Sequence, residues 1–343
     1  MEESIKPGEL YEKLIVLFFS GPGENGLLSR SFRINGKVIK VVSDSRSKGL
    51  ELTRALDHLS IRDSETHDLK IFSFTGGDTN LPLPIMNKAG DTGRDIPFID
   101  RDGIMMSLWR ESGSLSVLNR KKNIGIFFSA EPEKLEYFEK ASPFRNIFQW
   151  WFDSESTAMI HSGAVGVSGE GMLISGRGGA GKTSTVISCI MNGMEYLGDD
   201  YVLISGAERF DAFSLFRSGK LTNFILNLYP ELKERITNPC FSNEEKGLVF
   251  FGEGNGQATS NKAEIKGIII PEIVRQEKSS FQPASASEAF RALAPSTVFQ
   301  HIGNRNNLFR LTGRLTKDIP CYKLYTGSDP VHLAETVKEI FKV

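Results

Sequence analysis

Eight consecutive residues, Gly176-Arg177-Gly178-Gly179-Ala180-Gly181-Lys182-Thr183, constrain this chain more than any other feature. They spell a complete phosphate-binding loop, and such a loop needs a strand before it and a helix after it. Gly171 to Ser175 is a short apolar run that reads as a buried strand. Thr183 to Met191 carries Val186, Ile187 and Ile190 at three- and four-residue spacing, which reads as a helix. The chemistry demands this order. Backbone N–H groups of a Gly-rich turn wrap a β-phosphate, and the helix start adds its partial positive charge. Lys182 then reaches the β/γ-phosphates, the Thr183 hydroxyl can hold Mg²⁺, and Ser184 closes the nucleotide-binding run. The competing reading, a Gly-rich surface turn, leaves the flanking strand and helix unexplained.

Composition bounds the rest. A length of 343 residues suggests two domains, and 40% hydrophobic residues suffice for a sizeable core. A net charge of −1 argues against a general nucleic-acid or membrane-surface binder, which needs a basic excess. No run approaches eighteen apolar residues, so no transmembrane span is expected. The acidic start, Met1-Glu2-Glu3-Ser4, lacks the basic region of a secretory signal, and a cytoplasmic location is expected. Cys189, Cys240 and Cys321 lack metal-ligand spacing and read as free thiols in a reducing compartment.

Residues 1–155 read as a β-rich α+β domain. Lys13 to Phe19, Lys37 to Val42, Lys70 to Phe74 and Asn123 to Phe128 are short β-branched or aromatic runs. Gly21-Pro22-Gly23, Asn35-Gly36 and Gly76-Gly77-Asp78 punctuate them as turns, and Asp100 to Gly103 followed by Ile104 to Leu108 fits a hairpin. From Pro132 to about Asp153 the pattern turns helical. Its aromatic stripe (Phe138, Phe144, Phe148, Trp151, Phe152) reads as a packing face that docks this domain onto the next.

Residues 156–343 read as an α/β layer domain. Strands are expected at His161 to Val167, Gly171 to Ser175, Tyr196 to Ile204, Gly247 to Phe251, Ile265 to Ile270 and Cys321 to Tyr325. Helices are expected at Phe224 to Ile236, Ser285 to His301 and Pro330 to Lys342, with Pro230 and Pro295 kinking or ending theirs. Asp199-Asp200 interrupts one strand, which is expected to lie beside the loop strand. Adjacent carboxylates on a strand point to opposite faces, so the two hold different jobs. One can bind Mg²⁺; the other can accept a proton from the acceptor. A hairpin turn is the bland alternative, against which the apolar flanks argue. His161, alone, reads as structural.

The segment from His161 through Thr183, followed by Gly193 to Asp200, resembles the catalytic domain of the HPr kinase/phosphorylase family. It is closer still to the HPr-kinase-related serine kinases. His161, Lys182, Thr183, Asp199 and Asp200 reproduce that family's spacing without a gap, over about forty residues. Ile319 to Leu324 and the last helix are similar to its ending. The resemblance implies a mixed-sheet P-loop kinase fold of the HPr kinase/PEP-carboxykinase type. It implies transfer of a phosphoryl group from ATP, with Mg²⁺, to a serine hydroxyl of a peptide or small protein. One Asp acts as base and His161 supports it. Sequence leaves both assignments of the pair open; Asp199 as base and Asp200 with Thr183 on the metal is the preferred one. A homo-oligomer is expected by analogy only.

Departures limit the resemblance. The family has an acidic metal-binding residue about forty residues past its loop, where this chain has Leu221 to Leu228 with no carboxylate. Its late segment tied to dephosphorylation is reduced here to an echo at His301 to Asn306. HPr itself and phosphorylase activity are therefore not expected. Lys266 falls near a basic active-site position of the family and reads equally as a solvated strand-end Lys. Arg177 reads as a phosphate or acceptor contact, or as solvent-exposed. The competing functions are a small-molecule kinase of the same fold and a non-catalytic nucleotide sensor. The sensor would need neither a base nor its partner.

Overall fold

The computed structural model describes residues 6–20, 27–75, 96–99, 102–109, 111–206, 208–238, 246–252, 257–299, 301 and 305–343. Turns expected at 21–23 and 76–78, the start of the hairpin at 100–101, Cys240 and the segment 302–304 lie outside these. The chain divides into two compact units, Met1–Trp151 and Phe152–Val343, a few residues before the expected boundary. Each unit is an α/β structure on a mixed sheet. Among the described residues no helix is long and apolar enough to cross a membrane.

The first unit runs α1 (Pro7–Ser20), β1 (Leu28–Ile34), β2 (Lys37–Ser43), α2 (Arg46–Thr53), β3 (Ser60–Ile61), β4 (Leu69–Thr75), β5 (Ile96–Ile99), β6 (Ile104–Trp109), β7 (Ser114–Asn119), β8 (Ile124–Ser129), α3 (Tyr137–Ala141) and α4 (Arg145–Trp151). Its strands form one sheet in the order β3-β1-β2-β4-β8-β7-β6-β5. β2, β4 and β8 run parallel at the centre. The Asn35-Gly36 turn joins β1 to β2 with both residues at positive φ, 48° and 73°, the geometry of a tight two-residue hairpin turn.

Two expectations fail here. Lys13 to Phe19 is helix, not strand. Its buried residues, Leu10, Tyr11, Leu14 and Phe18, recur at helical spacing, and Val16 and Phe19 are left exposed. A composition rich in Val, Ile and Phe imitates a strand, but burial follows the 3.6-residue period. The helical region from Pro132 is three short pieces rather than one, since Ser142-Pro143 and a Phe144 at φ 57° break it. Within the first unit, Phe144 meets Phe127 and Phe138 meets Trp109.

The second unit runs β9 (Thr157–His161), β10 (Gly163–Val167), β11 (Glu170–Ile174), α5 (Lys182–Met191), β12 (Glu195–Gly198), β13 (Tyr201–Ser205), β14 (Asp211–Ser214), β15 (Ser218–Leu221), α6 (Asn223–Leu228), β16 (Gly247–Phe250), β17 (Lys262–Ile273), β18 (Ser280–Ala284), α7 (Ala286–Thr297), α8 (Arg305–Asp318), β19 (Cys321–Thr326) and α9 (Pro330–Ile340). The main sheet has the order β12-β10-β11-β17-β14-β13-β9, with β19 alongside β17 and β18 on β19. β11, β17 and β19 are parallel. α5 and α9 cover one face through Val186, Ile190, Leu333 and Val337. α7 and α8 cover the other through Leu293, Val298, Leu308 and Leu311. α8 went unread because Gly313 and polar residues dilute its apolar stripe. Pro230 does end α6, and a 3₁₀ turn follows from it. Cys189 and Cys321 are buried free thiols.

One feature of the topology sets up the site. β9 and β10 run antiparallel to β13 and β12, with Tyr201 opposite His161 and Gly198 opposite Ala164, and the β10–β12 register shifts by one residue just beyond, between Ala164 and Val165. The ribbon breaks at the same level on both sides, at Ser162 and at Asp199-Asp200. Gly163 permits the break, because a Cβ there would lie 2.6 Å from Val186 Cγ2 and 3.3 Å from the Asp199 carbonyl oxygen. β12 therefore neighbours β10 and not the loop strand β11, contrary to expectation. The carboxylates reach the loop because they occupy the break, not because their strand lies beside it.

Candidate active site

The loop leaves β11 at Ser175, whose N–H donates to the Ile269 carbonyl of β17 at 2.8 Å. The Ser175 hydroxyl meets the Ser162 hydroxyl at 2.8 Å, tying the loop to the ribbon break. Gly179 and Gly181 have φ of 78° and 98°, so the turn needs glycine there. Added Cβ atoms at Gly178 and Gly179 would meet nothing, which leaves that side of the loop open. Gly181 caps α5, whose first-turn N–H groups at Lys182, Thr183 and Ser184 have no carbonyl within their own helix. Arg177 is exposed at the loop tip.

Lys182 is buried. Its ammonium donates to the Gly176 carbonyl at 2.8 Å and the Arg177 carbonyl at 3.3 Å. Burial lowers its pKa, against the opposing pull of Asp200 and Asp199. The Thr183 hydroxyl donates to Asp199 Oδ2 at 3.3 Å. Asp199 is only 2% exposed and its Oδ1 has no hydrogen-bond partner. Burial, then the charge of Asp200, raises its pKa to about 7.

Asp200 faces the other way. Its Oδ1 lies 3.5 Å from His161 Nε2, and its Oδ2 is paired with the Lys220 ammonium. Burial alone would raise its pKa, but Lys220 and His161 outweigh burial and hold it well below the usual carboxylate range. The His161 ring stacks on Tyr201, ring centres 5.1 Å apart, and its backbone N–H donates to Thr297 Oγ1 at 3.1 Å. The structure thus brings together His161, Lys182, Thr183, Asp199 and Asp200. It sets Asp199, not Asp200, beside Thr183, the reverse of the preferred metal-side assignment.

Lys220 is the residue that sequence reading missed. It sits on β15, whose hydrogen-bonded partner is β16. The buried Tyr196 hydroxyl donates to the Ser218 carbonyl at 2.7 Å and holds β15 to the strand that precedes the acidic pair. The only local signal is a lysine on a short strand between apolar residues. Lys246 also bears electrostatically on Asp199 and Lys182. Three ammonium groups around two carboxylates make a site suited to a polyanion. Lys266 is elsewhere: it pairs with Glu264 at 2.7 Å and Glu170 at 3.8 Å, half-exposed, as a solvated strand lysine would.

On the far side of the loop lies an open cleft of about 490 Å³. Gly176, Arg177, Gly179 and Ala180 line it together with Ile270, Pro271 and Ile273; its charged lining is mixed, Arg291 and Lys323 with Glu272 and Glu288, and Lys323 pairs with both acids at 3.5 and 3.8 Å. Its size is within the range of small-molecule sites. Among the described residues no three His, Cys, Asp or Glu side chains converge to hold a metal by themselves. Mg²⁺ needs only one or two protein oxygens when phosphates supply the rest. The Asp199 carboxylate, with an unpartnered buried oxygen beside the Thr183 hydroxyl, fits that requirement. Neither a family model nor a curated protein matches the chain.

Proposed function

We propose that this chain is an ATP-dependent phosphotransferase, related to HPr-kinase-like serine kinases, that acts in the cytoplasm on a Ser or Thr hydroxyl of a peptide or small protein other than HPr. The observation that carries this reading is the split of the acidic pair. Asp199 meets Thr183 at the helix start, and Asp200 meets His161 and Lys220 on the opposite side. A nucleotide sensor has no use for the second arrangement.

Mg²⁺, held by Thr183 Oγ1 and Asp199, would neutralise charge on the phosphate oxygens. The loop amides and Lys182 bind the β- and γ-phosphates, and the cleft beside the loop has room for the nucleoside. Asp200 orients the acceptor hydroxyl and takes its proton as the new P–O bond forms and the bond to the β-phosphate oxygen breaks. ADP leaves with the electron pair, and the proton passes from Asp200 to solvent. Because the transition state is largely dissociative, positioning and charge neutralisation matter more than base strength, so an Asp200 with a low pKa is adequate. His161 keeps the Asp200 carboxylate in place. In this reading Asp200 is the base and Asp199 the metal-side residue.

The test is labelling of an acceptor by γ-labelled ATP with Mg²⁺, in extracts of the source cells. Asp200→Asn and His161→Ala should abolish labelling and keep nucleotide binding, whereas Lys182→Ala should weaken both. Equal ATP turnover in wild type and Asp200→Asn, with no labelled acceptor, would falsify the kinase reading.

A further inference from the structure

An adjacent pair of carboxylates facing a polyphosphate is the composition that recruits two divalent ions, which in two-metal sites sit about 3.5–4 Å apart. At Asp200 the second position is already taken. The Lys220 ammonium is on Oδ2 and His161 Nε2 faces Oδ1. We propose that Lys220 is a built-in cation that replaces a second divalent ion at the acceptor carboxylate, so that the site works with one Mg²⁺. This rests on the phosphotransfer reading above and specifies its metal requirement.

Three observations support it. The first is that Lys220 cannot readily withdraw. β15 is bonded to β16 with Lys220 opposite Leu248, and Tyr196 holds the Ser218 carbonyl. Gly219 is packed so tightly that a Cβ there would lie 2.6 Å from Phe251 Cε2, and Phe251 in turn packs on Tyr196 with ring centres 4.9 Å apart. These contacts fix the backbone of the strand that carries Lys220. The second is the lack of ligands for another ion. Residues 218–228 contain no carboxylate, and no three-acid or His/Cys cluster exists among the described residues. The third is charge. A divalent ion on Asp200 would stand in contact with a fixed ammonium, and repulsion at that range in a buried site is large.

An ammonium does part of a metal's work. It is a compact point charge with three donors, so it can pair with Asp200 and still donate to an incoming phosphoryl oxygen. It also cancels the carboxylate charge that would otherwise repel the phosphoryl group. Unlike a metal it does not exchange with the ionic pool. Lys220 on this account both fixes Asp200 and touches the reacting phosphoryl group.

The experiment counts ions directly. Free Mn²⁺ would be measured by its paramagnetic signal with a saturating non-hydrolysable ATP analogue, in wild type, Lys220→Glu and Lys220→Gln. The expected result is one Mn²⁺ per chain in wild type and in Lys220→Gln, and a second in Lys220→Glu. Lys220→Gln should lower the transfer rate on the order of 10²-fold, with KM for ATP unchanged, and Lys220→Arg should recover part of it. ATP hydrolysis to water serves as the rate where no acceptor is in hand. Two Mn²⁺ per wild-type chain would overturn the proposal, as would a wild-type rate in Lys220→Gln. If Lys220→Glu fails to fold, the wild-type count and the Lys220→Gln rate decide. One Mn²⁺ with nucleotide bound but no acceptor ever labelled sinks the phosphotransfer reading while leaving the ion count standing.

Discussion

Among the described residues, the carboxyl ends of the parallel strands differ between the two units in how much space they leave. In the first unit, Ser43 at the end of β2, Ser73 and Thr75 of β4 and Ser129 at the end of β8 line a cavity of about 20 Å³, room for roughly one water. α2 closes that end: a Cβ on Gly49 would lie 2.7 Å from Ser43 Cβ. In the second unit, β11 runs out into a loop whose glycines leave free space, beside a cleft of about 490 Å³. The carboxyl end of a parallel sheet is where α/β proteins bind ligands. The contrast teaches that the sheet offers the place, and that the turn after the strand decides whether it is filled with protein or left for a ligand. Glycine serves opposite ends in the two units, close packing at Gly49 and open approach at Gly178.

The predictions test that contrast, beginning with the largest effect. Asp200→Asn should reduce phosphotransfer by about 10²–10⁴-fold with nucleotide affinity retained, measured by single-turnover transfer and by titration with labelled nucleotide. Lys182→Ala should cost about 10²-fold or more in transfer and weaken nucleotide binding as well. Nucleotide affinity unchanged in Lys182→Ala would mean that the loop does not hold the nucleotide phosphates.

Gly49→Ala and Gly178→Ala set the two glycines against each other. The first should lower the stability of the first unit by about 1–3 kcal/mol, since overpacking must push α2 off the sheet, as seen in the urea midpoint. The second should leave stability within about 0.5 kcal/mol and act instead on nucleotide affinity. The reverse pattern would dissolve the comparison.

The smallest effect is in pH. Asp199 has a folded pKa raised to about 7 by burial and by Asp200. The native state therefore holds a proton there that the unfolded chain releases near pH 4. The sign follows: this site's contribution to stability is fully present at low pH and is lost as pH rises through about 7. Without nucleotide or Mg²⁺, the urea midpoint of wild type relative to Asp199→Asn should fall as pH rises from about 4 to about 7 and level off above that. A flat difference would show that the carboxyl is ionised throughout.

The loop was legible because all its determinants are local. Glycines for positive φ, an apolar run before and a helical stripe after lie within about twenty residues, and the structure has β11, turn and α5 in that order. The Asn35-Gly36 turn was legible for the same reason. The failures share a cause as well. Lys13 to Phe19 carries strand-like composition, but its period was hidden by exposed Val16 and Phe19 until the helix had a sheet to lie on. The neighbour of the loop strand was misjudged because β10 enters between β11 and β12, a matter of long-range pairing. Lys220 gave no sign of itself, since its approach to Asp200 depends on β15, β16 and Tyr196 together.

By itself the chain's order of residues determined a glycine-rich turn at Gly176 to Thr183 between a strand and a helix, and an acidic pair and a histidine within about twenty residues on either side of it. Those are short-range facts, carried by φ preferences and periodicity within a few turns of chain. Which carboxylate meets Thr183, which meets His161, and that Lys220 pairs with Asp200 were decided only by tertiary structure. The physical reason is the break in the ribbon of β9-β10 and β12-β13. It turns two adjacent side chains in opposite directions, and its place in space depends on strand pairings that no local pattern encodes.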